Sequence, residues 1–506
     1  MKKLGFDNEK YLKEQSEAII ERAEQFGNKL YLEFGGKLSN DLHAARVLPG
    51  FDPNVKIKLL QKLKDKSEII ICIFSGDIER RKVRQDFGLA YETQILRDID
   101  DLRKYGLFVR GVVITRYHDG SAVVNQFKQK LERRNIEVFL HYPIAGYPTA
   151  IDFIASDEGY GKNDFIQTKA PIVVVTAPGG GSGKLSTCLS QIYHEHRQGV
   201  SAGYAKFETF PIWNLPLNHP INIAYEAATA DLGDFNQVDP FHLENHKATA
   251  INYNRDIEIF PVVKRFLEKI MGPQQVYKSP TDMGVNRAGF SIIDDDVCRE
   301  AAKQEVIRRY FKYNCEYIQG KNGASTISRI DQIMRGKLNL TPEDRIIVSH
   351  ARDAAKEAET TKKGNNGIFV GAALLLHDEQ IITGKNSPLM HSSSSLILNA
   401  IKNLAKMPDE IDLISRSVID SIQAFKTNIL NTQKLSLSLE ETLIALSISA
   451  TTNPSAQVAM ERLKDIRGTE VHMTHIPSLG DEVGWRKLGV NLTTDPRFAG
   501  TQLFFN

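Results

Sequence analysis

The chain has 506 residues, 42% hydrophobic and 25% charged, enough for two to four buried cores at the usual ~100–200 residues per domain. Its 64 basic and 62 acidic residues leave a formal net charge of +2, so no global field draws it to nucleic acid or to a membrane surface. The four cysteines, Cys72, Cys188, Cys298 and Cys315, form no C-x-x-C pair, and no apolar run approaches the ~18 residues of a membrane span. Reduced thiols and a cytoplasmic location are expected, with no membrane and no nucleic-acid partner. No apolar run follows the basic residues of the first stretch, so no signal peptide is expected.

Residues 8–26 read as an amphipathic helix, with Tyr11, Leu12, Ala18, Ile19, Ala23 and Phe26 near one face. A short strand, Leu30 to Phe34, runs into the loop Gly35-Gly36-Lys37-Leu38-Ser39. Helical character is expected at Leu59 to Leu63, and a buried strand, EIIICIF, from Glu68 to Phe74, ending at Ser75-Gly76-Asp77. A helix over 89–104, a strand from Gly111 to Thr115, a helix over 121–134 and a strand from Ile136 to Leu140 follow. Short apolar strands alternating with amphipathic helices describe a parallel sheet with helices on its faces.

The next strand carries the most informative segment of the chain. Val173-Val174-Val175-Thr176-Ala177-Pro178 leads into Gly179-Gly180-Gly181-Ser182-Gly183-Lys184, and a helical stretch from Leu185 to Arg197 follows. Glycines let successive backbone N–H groups turn onto an anion, and the helix start adds unpaired N–H groups and partial positive charge. A lysine at the end of the loop can reach outer phosphates. The segment departs from the pattern G-x-x-x-x-G-K-[ST] at two places. Pro178 stands for the first glycine, and Leu185 stands for the hydroxyl that ligates Mg²⁺. Ser186 and Thr187 come one and two residues late, turned by about 100° each.

A strand is expected over Ser201 to Phe207, then an ordered loop, Thr209-Phe210-Pro211-Ile212-Trp213-Asn214-Leu215-Pro216. Helical patterns dominate 222–315, with turns at Met271-Gly272-Pro273 and around Lys278-Ser279-Pro280. A second α/β region begins near 344. It opens with a helix, Arg345 to Glu359, and a hairpin of Gly367 to Leu376 with Gln380 to Thr383. A helix from Ser394 to Ala405, helices at 439–449 and 455–463, a strand from Glu470 to Thr474 and a tail at 484–506 complete it. The fold expected is multidomain α/β: a P-loop/Rossmann-like domain over 1–275, a helical connector over 276–343, and a smaller α/β subdomain over 344–506.

Several side chains carry candidate chemistry. Arg80, Arg81 and Arg84, beside Asp77 and Lys82 at a strand's carboxyl end, can hold substrate phosphate or carboxylate; their alternative is a solvated helix face. Lys37 in the GGKLSN loop has the same status. His194 and His196 point about 200° apart on a helix and cannot share one ion. Asp231, Asp234 or Asp239 can supply the carboxylate that holds Mg²⁺ through water; the alternative is acidic capping of a helix end. Asp294-Asp295-Asp296 reads as an acidic helix start. His472 and His475 flank a strand end with no third ligand nearby. No G-x-S-x-G or zincin motif is present.

The segments ERRKVRQDFG (79–88), TAPGGGSGKLSTCLSQIYHEHRQG (176–199) and NLTTDPRF (491–498) together resemble an uncharacterised bacterial protein family known as a domain of unknown function. The resemblance covers essentially the whole chain. It implies a P-loop-like amino-terminal region and a carboxyl-terminal subdomain of cytidine-deaminase-like topology, and supplies no activity. The loop and its flanks also resemble the phosphate loop of formate–tetrahydrofolate ligases. Zinc deamination needs H-x-E or C-x-E at one helix and P-C-x-x-C at the next. Here the first helix begins His391-Ser392-Ser393-Ser394, and no cysteine follows Cys315. No zinc is expected, and Lys385, Asn386, Ser387 and His391 remain as lining for a binding or assembly platform; their alternative is a helix N-cap cluster.

The functional expectation is a protein that binds a nucleotide or phosphorylated small molecule, with ATP and Mg²⁺ as candidate cofactors and homo-oligomerisation left open. Gly179, Gly180, Gly181, Ser182, Gly183, Lys184 and Ser186 would bind phosphate. Lys184 would act catalytically, and Lys37, Arg80, Arg81 and Arg84 would bind substrate. The reaction class expected is phosphoryl transfer or ATP-dependent ligation; a non-catalytic sensor or assembly protein is the alternative.

Overall fold

A computed structural model describes residues 3–36, 38–84, 88–272 and 277–500. The chain divides into two compact units, Leu4–Ala302 and Lys303–Asn506, and the division falls inside the helix Asp295–Ile318. Among the described residues no helix is long and apolar enough to cross a membrane.

The first unit is built on a six-stranded sheet. Its strands are β1 Leu30–Phe34, β2 Ser67–Phe74, β3 Val109–Thr115, β4 Val138–His141, β5 Ile172–Thr176 and β6 Gly203–Phe207. All neighbours pair parallel, in the order β4-β3-β2-β5-β1-β6. Parallel strands need crossovers that cover both faces, so the central strands read as continuous apolar runs. β5, IVVVT, and the run Ile69 to Ile73 of β2 are buried from end to end. Helix Asn8–Glu24 precedes β1, and helices Val55–Lys62, Tyr91–Lys104, Ala122–Glu132 and Lys184–Arg197 lie between the strands in the chain. The first buries Tyr11, Ala18, Ile19 and Ala23, the face its periodicity marked.

Boundaries differ from the sequence reading where local chemistry intervenes. The helix expected over 89–104 starts at Tyr91, because Leu89–Ala90 pair with Val83–Arg84 as a small antiparallel ladder. Within the helical stretch 222–315, Asn236–Val238 and Ile251–Tyr253 form a second antiparallel pair. Three-residue strands carry too little alternation to stand out from helix periodicity.

The second unit carries a four-stranded sheet, β7 Gly371–Leu375, β8 Ile381–Lys385, β9 Glu470–Met473 and β10 Asn491–Thr494, in the order β8-β7-β9-β10. The pairings β7–β8 and β7–β9 are antiparallel, and β9–β10 is parallel. Two glycines let helices approach the sheet closely. A Cβ on Gly371 would lie 2.4 Å from the Ala351 carbonyl oxygen of helix Ile347–Thr360. A Cβ on Gly384 would lie 2.3 Å from the Leu396 backbone nitrogen of helix Ser392–Leu404. Gly384 pairs with Ala372, the residue after Gly371, so alternation places the two helices on opposite faces. Helix Leu479–Leu488 lies in and before the region read as tail; its two glycines dilute the apolar pattern, and the buried Trp485 anchors it.

A charge network ties this unit together. Glu470 accepts from Arg345 at 2.8 Å and from Arg308 at 3.0 Å, and Arg308 also meets Glu305 at 2.9 Å. Burial alone would raise the Glu470 carboxyl, but the two guanidiniums outweigh it and hold it at about 2. A carboxyl held low in the folded state adds stability above its unfolded pKa and loses it as pH falls through about 2. Glu470→Gln should cost about 3–5 kcal/mol, since Arg345 is left buried without its counter-charge. Urea unfolding between about pH 5 and about pH 2 should show a shallower loss of stability in the variant than in the parent.

Candidate functional site

Strand order decides where the loops of the first unit converge. After β2 the chain moves outward to β3; after β5 it crosses β1 to reach β6. Adjacent parallel strands whose connections leave in opposite directions open a crevice at their carboxyl ends. The glycine loop rises from β5 at that crevice, beside the Ser75–Glu79 turn that follows β2.

The loop has a defined winding. Gly181 and Gly183 take left-handed backbone, with φ of 76° and 88°, and Gly183 caps the helix Lys184–Arg197. Three carbonyls are tied back to the protein. Ser182 Oγ donates to the Gly179 oxygen at 3.0 Å, Arg116 Nη2 to the Gly181 oxygen at 2.5 Å, and Thr115 Oγ1 to the Ser182 oxygen at 2.9 Å. In a planar trans peptide the carbonyl and the following N–H point opposite ways. The N–H groups of Gly180, Ser182 and Gly183 therefore point away from those partners. Lys184, Leu185 and Ser186 add first-turn N–H groups without intrahelical acceptors. Gly179 leaves room for the Tyr91 hydroxyl, which a Cβ there would meet at 2.2 Å.

Two arginines flank the loop. Arg116 lies over the Phe74 ring, 3.4 Å from its centroid, and Arg80 approaches the same ring at 5.9 Å. Arg80 also binds the buried Asp77, which Lys82 approaches at 3.6 Å. Arg81 is exposed and left-handed, with φ of 46°. Lys37 and the side chain of Arg84 lie outside the described residues. Ser186 sits beside the phenols of Tyr147 and Tyr160.

Beside the loop lies a cluster of largely shielded charge, with Glu33 buried and Lys206, Glu208 and Asp256 partly exposed. Lys184 Nζ is 3.7 Å from Glu33 Oε1, and Tyr204 donates to Glu33 Oε2 at 2.8 Å. Glu33 stands opposite Lys206 in the β1–β6 register. Lys206 meets Asp256 at 2.6 Å and Glu208 at 3.2 Å. The Tyr253 hydroxyl binds Glu208 and, at 2.8 Å, the Phe210 carbonyl. Burial alone would lower Lys206; Asp256, Glu208 and Glu33 overcome it and raise the ammonium above its ordinary value. Burial raises the Asp256 carboxyl against the pull of Lys206. Gly35 leaves space for the Glu208 side chain, which a Cβ there would meet at 2.2 Å.

Glu33, Arg116, Lys206, Glu208 and Asp256 were not singled out by motif. Charges inside the apolar strands LYLEF and GYAKF were the available signal, since an ionised side chain in a buried strand needs a partner. Other candidates are spoken for. Asp239 caps helix Pro240–His246, and Asp234 binds Arg255 at 2.6 Å. Asp294 accepts from the Val297 amide at the start of helix Asp295–Ile318. His194 and His196 contact the carbonyls of Asn163 and Ala202. In the second unit Lys385 meets Glu357 and Asn386 bonds Val370 and Ile368. Ser387 accepts from the Leu389 and Met390 amides, and His391 contacts Asp481 at 2.8 Å. His472 contacts Thr493 at 2.9 Å and lies 3.4 Å from Asp495.

The model of the family "Domain of unknown function DUF1846, N-terminal" matches residues 4–338, and its C-terminal counterpart matches residues 343–504. The chain belongs to this family. It is 56% identical over 505 residues to a UPF0371 protein of Clostridium botulinum (strain 657 / Type Ba4), covering 100% of both chains. A UPF0371 protein of Clostridium tetani (strain Massachusetts / E88) is 55% identical over 505 residues, again covering 100% of both.

The winding of the loop makes a paired expectation. Gly183→Ala meets Thr115 at 2.9 Å in left-handed backbone and should cost about 1–3 kcal/mol. Gly180→Ala, with nothing within 4 Å of its Cβ, should stay within about 1 kcal/mol of the parent. Thermal unfolding of the two variants side by side checks the difference.

Proposed function

We propose that this protein binds a phosphorylated small molecule or nucleotide over Gly179–Lys184, with the loop and first-turn N–H groups on phosphate. One observation carries the reading: the Gly179, Gly181 and Ser182 carbonyls are turned inward, so the intervening N–H groups face the other way. The crevice position and the flanking Arg116 and Arg80 support it.

The chemistry we assign to the site is phosphoryl transfer or ATP-dependent ligation. Lys184 moves from Glu33 to stabilise charge developing on the phosphoryl oxygens, and Arg80 with Arg116 holds the second substrate. Leu185 offers no hydroxyl to Mg²⁺, so an ion accompanying a nucleotide would be held by the nucleotide, water and a carboxylate such as Glu33. Leu185 and the Lys184–Glu33 contact are also what favours a second reading, a phosphometabolite sensor without turnover.

Calorimetry with ATP, GTP and phosphorylated metabolites tests the binding. Lys184→Ala should weaken it by about 1.5–3 kcal/mol, roughly 10–100-fold in affinity. No binding by the parent, or equal binding by both proteins, refutes the assignment. Release of ADP or phosphate in the presence of a metabolite pool separates enzyme from sensor.

Binding should depend weakly on Mg²⁺ in the parent, and Leu185→Ser should strengthen that dependence by putting a hydroxyl at the ion. Affinity with Mg²⁺ against affinity with a chelator, in both proteins, gives the comparison. An unchanged response in Leu185→Ser means that the loop does not hold phosphate in P-loop geometry.

A further inference from the structure

The first unit holds a second constellation, unrelated to the glycine loop. Helix Pro240–His246 carries His242 and His246 one turn apart, with ring centroids 4.5 Å from each other. Asp282, on the short helix Pro280–Met283, faces both. Its Oδ2 lies 3.0 Å from His246 Nε2, and its Oδ1 lies 3.8 Å from His242 Nδ1. One ligand atom from each residue falls within 4.8 Å of the other two. Ligands bound at ~2.0–2.2 Å stand about 3–3.6 Å apart, so small side-chain rotations bring all three onto one ion.

The two ligand-bearing helices are fixed to each other by neighbouring groups. Asp239, fully buried, accepts the His242 amide at 3.0 Å with Oδ1. With Oδ2 it accepts the Thr281 amide at 3.2 Å and the Thr281 hydroxyl at 2.6 Å. Ser279 Oγ accepts the Asp282 amide at 3.1 Å and lies 3.1 Å from His242 Nδ1. Arg22 donates to the Asp282 backbone carbonyl at 2.7 Å, while the carboxylate takes the Lys278 amide at 2.9 Å. His246 is exposed, which leaves one side open to water.

We propose that His242, His246 and Asp282 form a binding site for a first-row divalent cation, with water completing its shell. Two imidazoles and one carboxylate suit Zn²⁺ and its neighbours better than Mg²⁺ or Ca²⁺. The ion clamps Pro240–His246 to Pro280–Met283. This departs from the expectation of no zinc, which rested on scattered cysteines and the deaminase pattern; an imidazole–carboxylate site needs neither. The signal in the sequence was His242-x-x-x-His246, four residues apart on a helix.

The test titrates full-length, chelator-treated protein with Zn²⁺, and with Co²⁺ as a spectroscopic probe. The parent should bind one equivalent at this site, develop Co²⁺ absorption, and unfold at a higher temperature with metal than without. His242→Ala, His246→Ala and Asp282→Asn should each lower affinity at least about tenfold and remove the thermal shift. His246 is exposed, so His246→Ala keeps the test decisive if His242→Ala fails to fold. Absence of binding by the parent overturns the proposal, as does parent-like affinity and stoichiometry in both His246→Ala and Asp282→Asn.

Discussion

A strand that enters late and settles in the middle governs the first unit. β5 follows four others in the chain yet lies between β2 and β1. A parallel sheet cannot be joined by tight turns, and its crossovers are almost uniformly right-handed. Inserting β5 there makes the connections on either side diverge. The crevice, the glycine loop at its lip and the arginines after β2 and β3 all follow from that insertion.

Electrostatics at the same end of the sheet points the same way. Burying Glu33, Lys206, Glu208 and Asp256 costs desolvation that their mutual pairing offsets only in part. Apolar residues of similar size would serve stability as well or better. Two of these charges, Lys206 and Asp256, have shifted protonation, which makes the cluster a candidate for handling a ligand. The Arg308–Glu470–Arg345 network of the second unit is different in kind. It joins helix Asp295–Ile318 and Arg345, just ahead of helix Ile347–Thr360, to β9, and so fixes packing within the unit.

The long apolar strands and the glycine loop were legible because periodicity and composition are local properties. The α/β class, the parallel sheet and the hairpin followed by a helix in the second unit came from them. The weak points share a cause. Asn236–Val238 and Ile251–Tyr253 have pairing partners separated by a helix, and helix Leu479–Leu488 depends on one buried tryptophan. Within the site, Lys184 and the glycines could be named from spacing. Arg116 and Asp256 could not, because only the packed sheet brings them to the loop's surroundings. His242, His246 and Asp282 show both sides: the first two declare themselves by helical spacing, while the third arrives from a segment some forty residues away.

The tying of the loop carbonyls to Thr115, Arg116 and Ser182 bears on kinetics as well as geometry. A glycine-rich loop that had to order itself around each incoming ligand would lose conformational entropy at every encounter. Here that loss is taken once, at folding, through bonds to β3 and within the loop. For a ligand bound as proposed, association would be governed by diffusion and orientation, and differences between ligands would lie mainly in how long each one stays.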